Sequence, residues 1–111
     1  MKATVRKIGT VSVVDLSGKI TIGEGDVVLR EKVSELLERG DRQILLNLQN
    51  VKYMDSAGIG ELVACYKRAK EKAGTVKLLN PSGKVHDLLQ LTKLEEVFDT
   101  FNDEKEALVS F

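Results

Sequence analysis

Short apolar segments alternate with helix-like segments along this chain. Five segments are rich in apolar and β-branched residues, which is typical of strands: 3–8, 11–16, 44–48, 75–79 and 97–101. Gly9-Thr10, between the first two, favours a type II′ turn and hence a β-hairpin. The run ILLNL at 44–48 is continuously apolar, which predicts a strand buried on both faces. The sequence therefore predicts five strands, of which the first two are antiparallel.

Four other segments place apolar residues at helical spacing. The predicted helices cover 26–39, about 56–72, a segment that starts at 80–82, and a segment after Asp103. In the first helix Asp26 is expected to cap the start and Gly40 to mark the end. Residues 18–26, which contain three glycines, are expected to form a loop before that helix, with room for a short strand-like piece.

The predicted order is β-β-α-β-α-β-α-β-α. Strands that alternate with helices favour an α/β fold with parallel pairing, and the opening hairpin adds one antiparallel pair. We therefore predict one α/β domain over residues 1–111, with a mixed, mostly parallel sheet of about five strands and about four helices. Five short strands offer little apolar surface for two helical layers, so most helices should pack on one face.

Composition and charge narrow the possible functions. The chain of 111 residues carries 17 basic and 17 acidic residues, and zero net charge argues against binding nucleic acid or an anionic membrane surface. Its single cysteine allows no internal disulfide. No apolar run approaches the roughly 20 residues that a membrane span needs, and the N-terminus lacks the apolar core of a signal peptide. These features predict a soluble cytoplasmic protein.

The stretch YMDSAGIGELV, residues 53–63, carries the candidate chemistry. Either Asp55 or Ser56 could cap the second helix, and Gly58 and Gly60 could permit close packing of its first turn, so a purely structural explanation has weight. Glycine in a helix costs about 1 kcal/mol relative to alanine, however, so Gly58 and Gly60 suggest a bare surface that a partner approaches. On such a surface, the Ser56 hydroxyl would be well placed for modification.

Catalysis and metal binding are poorly supported. A nucleophile elbow needs glycine two residues before the serine, where this chain has Met54. The only histidine, His86, is expected to be a solvated helix residue, which leaves Ser56 without a base. One histidine and one cysteine cannot form a zinc site, and Cys65 borders an apolar stripe, which favours a structural role. We predict a protein that is not an enzyme and needs no cofactor.

The sequence resembles the STAS domain family, and specifically its stand-alone bacterial anti-sigma factor antagonists. The resemblance rests on the motif VKYMDSAGIGELVACYKRAK and extends over nearly the whole chain. It includes LSGKI and LREKV around the first helix, and the C-terminal run LLNPSGKVHDLLQLTKLEEVFDTFNDEKEAL. It implies a β-sheet packed with helices, with the motif exposed at a helix N-terminus.

The resemblance also implies a mechanism, called partner switching. The unphosphorylated antagonist binds an anti-sigma factor that is also a GHKL-type serine kinase, and this frees a sigma factor. The kinase then phosphorylates the serine after the motif's aspartate, which releases the antagonist, and a metal-dependent PP2C-type phosphatase resets it. In this sequence the aspartate is Asp55 and the phosphoacceptor is Ser56. We expect the antagonist to be a monomer. Its expected partner-binding residues are Thr21, Asp55, Ser56, Ala57, Gly58, Ile59 and Gly60.

Thr21 departs from the family pattern, in which an aspartate is common at this position. Two interpretations follow from the change. Thr21 is a second hydroxyl that a kinase could modify, or the chain is a STAS regulatory module of another signalling or transport-linked pathway with a different partner.

Overall fold

The computed structural model describes all 111 residues, and its elements follow the predicted order. The strands are β1 (Lys2–Ile8), β2 (Val11–Ile20), β3 (Gln43–Met54), β4 (Thr75–Leu79) and β5 (Thr100–Phe101). The helices are α1 (Gly25–Glu38), α2 (Ser56–Glu71), α3 (Gly83–Leu91) and α4 (Glu104–Val109), with a short 3₁₀ turn at Leu94–Glu96. No helix is both long enough and apolar enough to cross a membrane.

One five-stranded sheet runs through the domain in the order β1-β2-β3-β4-β5. β1 and β2 are antiparallel and meet at the Gly9-Thr10 turn, whereas all later neighbours are parallel. The predicted α/β fold with a mixed, mostly parallel sheet is therefore confirmed. Because β2, β3 and β4 are parallel, their carboxyl ends lie at the same edge of the sheet, and the loops that follow them are neighbours.

The helices cover the two faces of the sheet unequally, as predicted. α1, α2 and α3 pack on one face and enclose the main core of 20 buried residues. The short helix α4 packs on the other face through Ala107, over a small cluster that includes Val13 and Leu45. Ile44 and Leu46 belong to the main core while Leu45 lies in the small cluster, so this part of β3 is buried on both faces.

Two strands extend further than the apolar pattern predicted. β2 continues through Ile20, so the strand-like piece allowed within 18–26 is the end of β2 and the loop is shorter than predicted; β3 continues to Met54. Lys19 pairs with Tyr53 and Ile20 with Met54, so backbone pairing carries both strands past the apolar run. The predicted strand at 97–101 is shorter than expected, because Val97 and Phe98 donate their N–H groups to the Leu94 carbonyl in a helical turn.

Candidate functional site

The ends of β2 and β3 bring the two candidate segments together. After Ile20, residues 21–24 lead into α1, and after Met54 a single residue, Asp55, leads into α2. The Asp55 N–H donates to the Ile20 carbonyl across the two strand ends, at 3.4 Å. The predicted motif and the Thr21 segment are distant in sequence but adjacent in the fold.

Asp55 is the residue that caps α2. Its Oδ1 accepts a hydrogen bond from the Gly58 N–H at 2.9 Å, and its Oδ2 accepts one from the Ile22 N–H at 3.0 Å. These N–H groups, that of Ile22 first, hold the pKa of Asp55 below its ordinary value. The carboxylate therefore stays charged at neutral pH and fixes the loop after β2 against the start of α2.

Ser56 is left free by this arrangement. It is the first residue of α2, it is exposed, and its hydroxyl makes no hydrogen bond within the protein. Ser56 and Ile59 line one side of an open groove whose other side is formed by Leu88 and Thr92 of the α3 region. Of the two predicted candidates, Asp55 rather than Ser56 caps the helix. The Ser56 hydroxyl is therefore accessible to another molecule.

The two glycines of the motif differ in role: Gly58 follows the close-packing alternative, and the prediction of bare surface is wrong for it. Gly58 is buried: a Cβ at this position would overlap the Ile20 carbonyl oxygen and lie 2.6 Å from Met54 Cγ. Its hydrogen side chain allows α2 to begin against β2. Gly60 is exposed, and a Cβ added there would meet no other atom within 4 Å, so only Gly60 fits the predicted bare surface.

The other predicted residues lie around this point. Ala57 and Ile59 are half-buried on the first turn of α2. Thr21 is half-buried at the end of β2, and its carbonyl accepts the N–H groups of Glu24 and Asp26 at 3.4 and 3.2 Å. The loop after β2 is thus held by its own backbone as well as by Asp55.

Gly25 also contributes to the site, although it was not among the predicted site residues. A Cβ on Gly25, the first residue of α1, would overlap the Lys19 carbonyl oxygen and lie 2.6 Å from Ile20 Cα. α1 therefore begins as close to the end of β2 as α2 does. A glycine next to a predicted helix start was a visible signal, but the strand that it packs against could not be identified from spacing.

Glu61 was also missed, because a charged helix residue is exposed by default. It is buried with 8% exposure and bridges Arg30 of α1 at 3.2 Å and Arg68 of α2 at 3.3 Å. This network ties the two helices of the site together. Cys65 Sγ lies 3.6 Å from Glu61, and burial raises the pKa of the thiol to about 12, so it is neutral and fits the predicted structural role.

His86 lies on α3 with about half of its side chain exposed, and Asp87 is its charged neighbour at 3.7 Å. No hydrogen bond joins His86 to Ser56, and His86 does not line the groove that contains Ser56. Around Ser56 there is therefore a free hydroxyl and a carboxylate whose two oxygens accept backbone N–H groups, and the only histidine is not hydrogen-bonded to the hydroxyl.

A family model decides the identification: the STAS domain matches residues 2–107. The chain belongs to the STAS domain family. Among its relatives, the anti-sigma-B factor antagonist of Bacillus subtilis (strain 168) is 36% identical over 86 residues, which cover 78% of this chain and 77% of that protein. The anti-sigma F factor antagonist of Paenibacillus polymyxa is 30% identical over 98 residues, covering 88% and 84% of the two chains.

Solved structures of other proteins share the fold. The anti-sigma factor antagonist SpoIIAA in its unphosphorylated form matches with a TM-score of 0.72 at 23% identity, covering 98% of this chain and 96% of that one. The Bacillus SpoIIAA structure in the phosphorylated form matches with a TM-score of 0.75 at 23% identity, covering 98% of each chain. The same fold is thus seen in a phosphorylated and an unphosphorylated protein.

The two glycines of the STAS motif give a matched pair of variants. Gly58→Ala should destabilise the domain by about 1–3 kcal/mol, because the added methyl group overlaps Ile20 and Met54. Gly60→Ala should be neutral or stabilise by up to about 1 kcal/mol, because it adds a helix former in open space. Urea denaturation measures both, and equal changes in the free energy of unfolding would contradict the assigned packing.

Asp55 should make stability depend on pH. Folding lowers the pKa of Asp55 from its ordinary value of 3.8. The charged carboxylate therefore stabilises the native state at pH values above 3.8, and this stabilisation is lost as the pH falls through the lower pKa of the native state. Wild type should be more stable than Asp55→Asn at neutral pH, and the difference should shrink below about pH 3.8. Urea denaturation across this range tests it, with the exposed Asp87→Asn as control. A difference that grew as the pH fell would contradict the assignment.

Proposed function

We propose that this STAS protein is an anti-sigma factor antagonist that phosphorylation of Ser56 switches off. The observation that carries the proposal is the exposed, unbonded Ser56 hydroxyl directly after the capping Asp55. Two of its relatives are named anti-sigma factor antagonists, and these names indicate that the partner is an anti-sigma factor. We further propose that the protein acts as a monomer in the cytoplasm and carries out no chemistry itself.

The physical basis of the switch is charge at a protein contact. Phosphorylation adds about −1.5 to −2 charges beside the Asp55 carboxylate. The N-terminus of α2 partly stabilises the new charge, so the domain stays folded. A partner packed against Ser56 would instead have to desolvate the phosphate dianion, and this cost in free energy favours its dissociation. Each 1.4 kcal/mol lost in this way lowers affinity about tenfold, so a few lost contacts release the partner. The fold shared by the two forms of SpoIIAA supports the tolerance for phosphate.

The partners follow from the family resemblance. The unphosphorylated protein would bind an anti-sigma factor that is also a GHKL-type serine kinase, which frees a sigma factor. That kinase would phosphorylate Ser56 with ATP, and a PP2C-type phosphatase would remove the phosphate. We assign the partner contact to the predicted residues that are exposed or half-buried: Thr21, Asp55, Ser56, Ala57, Ile59 and Gly60. Gly58 supports this surface from beneath.

Thr21 favours a second candidate function. An uncharged side chain stands where the family commonly has an aspartate, so the surface next to Asp55 has one carboxylate fewer. The alternative is a STAS regulatory module of another signalling or transport-linked pathway with a different partner. Neighbouring genes for a GHKL-type kinase or a PP2C-type phosphatase would favour the antagonist over this alternative.

Two variants of Ser56 test the switch. Ser56→Ala keeps a small neutral surface, so it should bind the anti-sigma factor at wild-type affinity and resist phosphorylation. Ser56→Asp places a charge beside Asp55, so it should bind at least about tenfold more weakly. Its melting temperature should change by less than about 4 °C, since the helix N-terminus offsets the repulsion. Titration calorimetry and thermal denaturation measure the two quantities.

Ser82 provides a matched control for added charge. It is an exposed serine at the start of α3 whose hydroxyl does not cap the helix. Ser82→Asp should therefore leave the affinity for the anti-sigma factor near that of wild type. Phosphopeptide mapping after incubation with the kinase and ATP completes the test. Phosphate on Thr21, with Ser56→Ala still modified, would contradict the assignment of Ser56.

A further inference from the structure

Exposed apolar side chains concentrate around Ser56. The large apolar residues that remain exposed are Ile8, Ile22, Tyr53, Leu91, Val97 and Val109. Three of them lie at this end of the domain: Ile22 donates its N–H to Asp55, Tyr53 lines the groove that also contains Ser56, and Leu91 lines an adjoining groove along α3. Apolar residues scattered singly need no explanation, whereas these three flank the Ser56 site on two sides, where one partner could cover them together.

Ile22 is held rigidly although its side chain is 75% exposed. Its N–H donates to Asp55 Oδ2, and the preceding carbonyl, that of Thr21, accepts from Glu24 and Asp26. An isoleucine side chain that stays exposed to water adds almost no buried apolar area to the fold. A binding partner does gain, because a side chain whose backbone is already fixed loses less conformational entropy on association.

A second groove adjoins the one that Ser56 lines, and the two grooves share Tyr53, Met54 and Leu88. It runs between the end of β3 and α3, and its apolar lining includes Tyr53, Met54, Leu88 and Leu91. Lys84 Nζ lies 5.9 Å from the centre of the Tyr53 ring, which helps to hold the ring in place. Leu91, at the end of α3, is 80% exposed. Since Ile22 follows β2 and α3 follows β4, the serine that follows β3 lies between the two apolar features.

We propose that the anti-sigma factor contacts both features at once. Ile22 inserts into an apolar pocket of the anti-sigma factor, and an apolar side chain of that protein fills the groove beside Leu91. This inference rests on the proposed function and extends it by naming the residues that anchor the partner. It places Ser56 near the centre of the buried contact, where binding energy concentrates and water is excluded. A phosphate at the centre has no route to solvent, whereas one at the rim would keep its hydration.

The charge of the surface favours a different protein over a second copy of this chain. A symmetric contact between two copies brings the same patch of each molecule together. Centred on Ser56, it would face the ionised Asp55 carboxylates of both copies towards each other. Like charges at a closed contact are unfavourable, so the occupant is a partner without a carboxylate at that point.

Truncation of the two anchors tests the proposal. Ile22→Ala and Leu91→Ala should each raise the Kd for the purified GHKL-type anti-sigma factor of the same organism at least about tenfold, or about 1.4 kcal/mol. Val109→Ala is the matched control: Val109 is 83% exposed but lies on α4, across the sheet, so its Kd should stay within about twofold. Titration calorimetry gives the Kd values, and thermal denaturation should show all three variants folded like wild type.

The outcomes separate this inference from the function on which it rests. If wild type did not bind the anti-sigma factor, the proposed function and this inference would both fall. If wild type bound and Ser56→Asp did not, while Ile22→Ala and Leu91→Ala bound like wild type, the function would stand and the inference alone would be wrong. Sedimentation that showed a wild-type dimer, dissociated by Leu91→Ala, would assign the surface to a second copy and also overturn it.

Discussion

The close approach of two helix starts to the end of one strand determines the geometry of the site. α1 begins at Gly25 and α2 places Gly58 in its first turn, and both glycines pack against the backbone around Ile20. Any side chain at either position would push a helix away from β2. Because both helices are fixed at this point, the loop after β2 and the loop after β3 are fixed relative to each other, and Asp55 can bond to both.

The STAS motif therefore combines support and signal in adjacent residues. Asp55 and Gly58 fix the backbone, while the Ser56 hydroxyl between them makes no hydrogen bond and is free to be modified. The buried Glu61, paired with Arg30 of α1, stiffens the arrangement further. A rigid site of this kind suits a switch that alters the charge of a surface, since it requires no rearrangement of the fold.

Much of the fold could be predicted from the sequence, because its strands and helices differ in local periodicity, and the hairpin and the strand at 75–79 depend on neighbouring residues alone. The site was predicted less completely. Ser56 and Asp55 could be found from the motif, but the burial of Gly58 depends on Ile20, which is distant in sequence. Glu61 could not be found either, since a charged helix residue looks exposed until its partner on α1 is known.

In the proposed switch, a phosphate on Ser56 changes a surface without changing the fold. The most direct measurement compares unphosphorylated protein with protein phosphorylated to completion at Ser56, by titration against the anti-sigma factor and by circular dichroism of the same samples. The phosphorylated form should bind with an affinity at least about tenfold lower, and its spectrum should be unchanged. Equal affinities of the two forms, or a loss of affinity that accompanies unfolding, would contradict it.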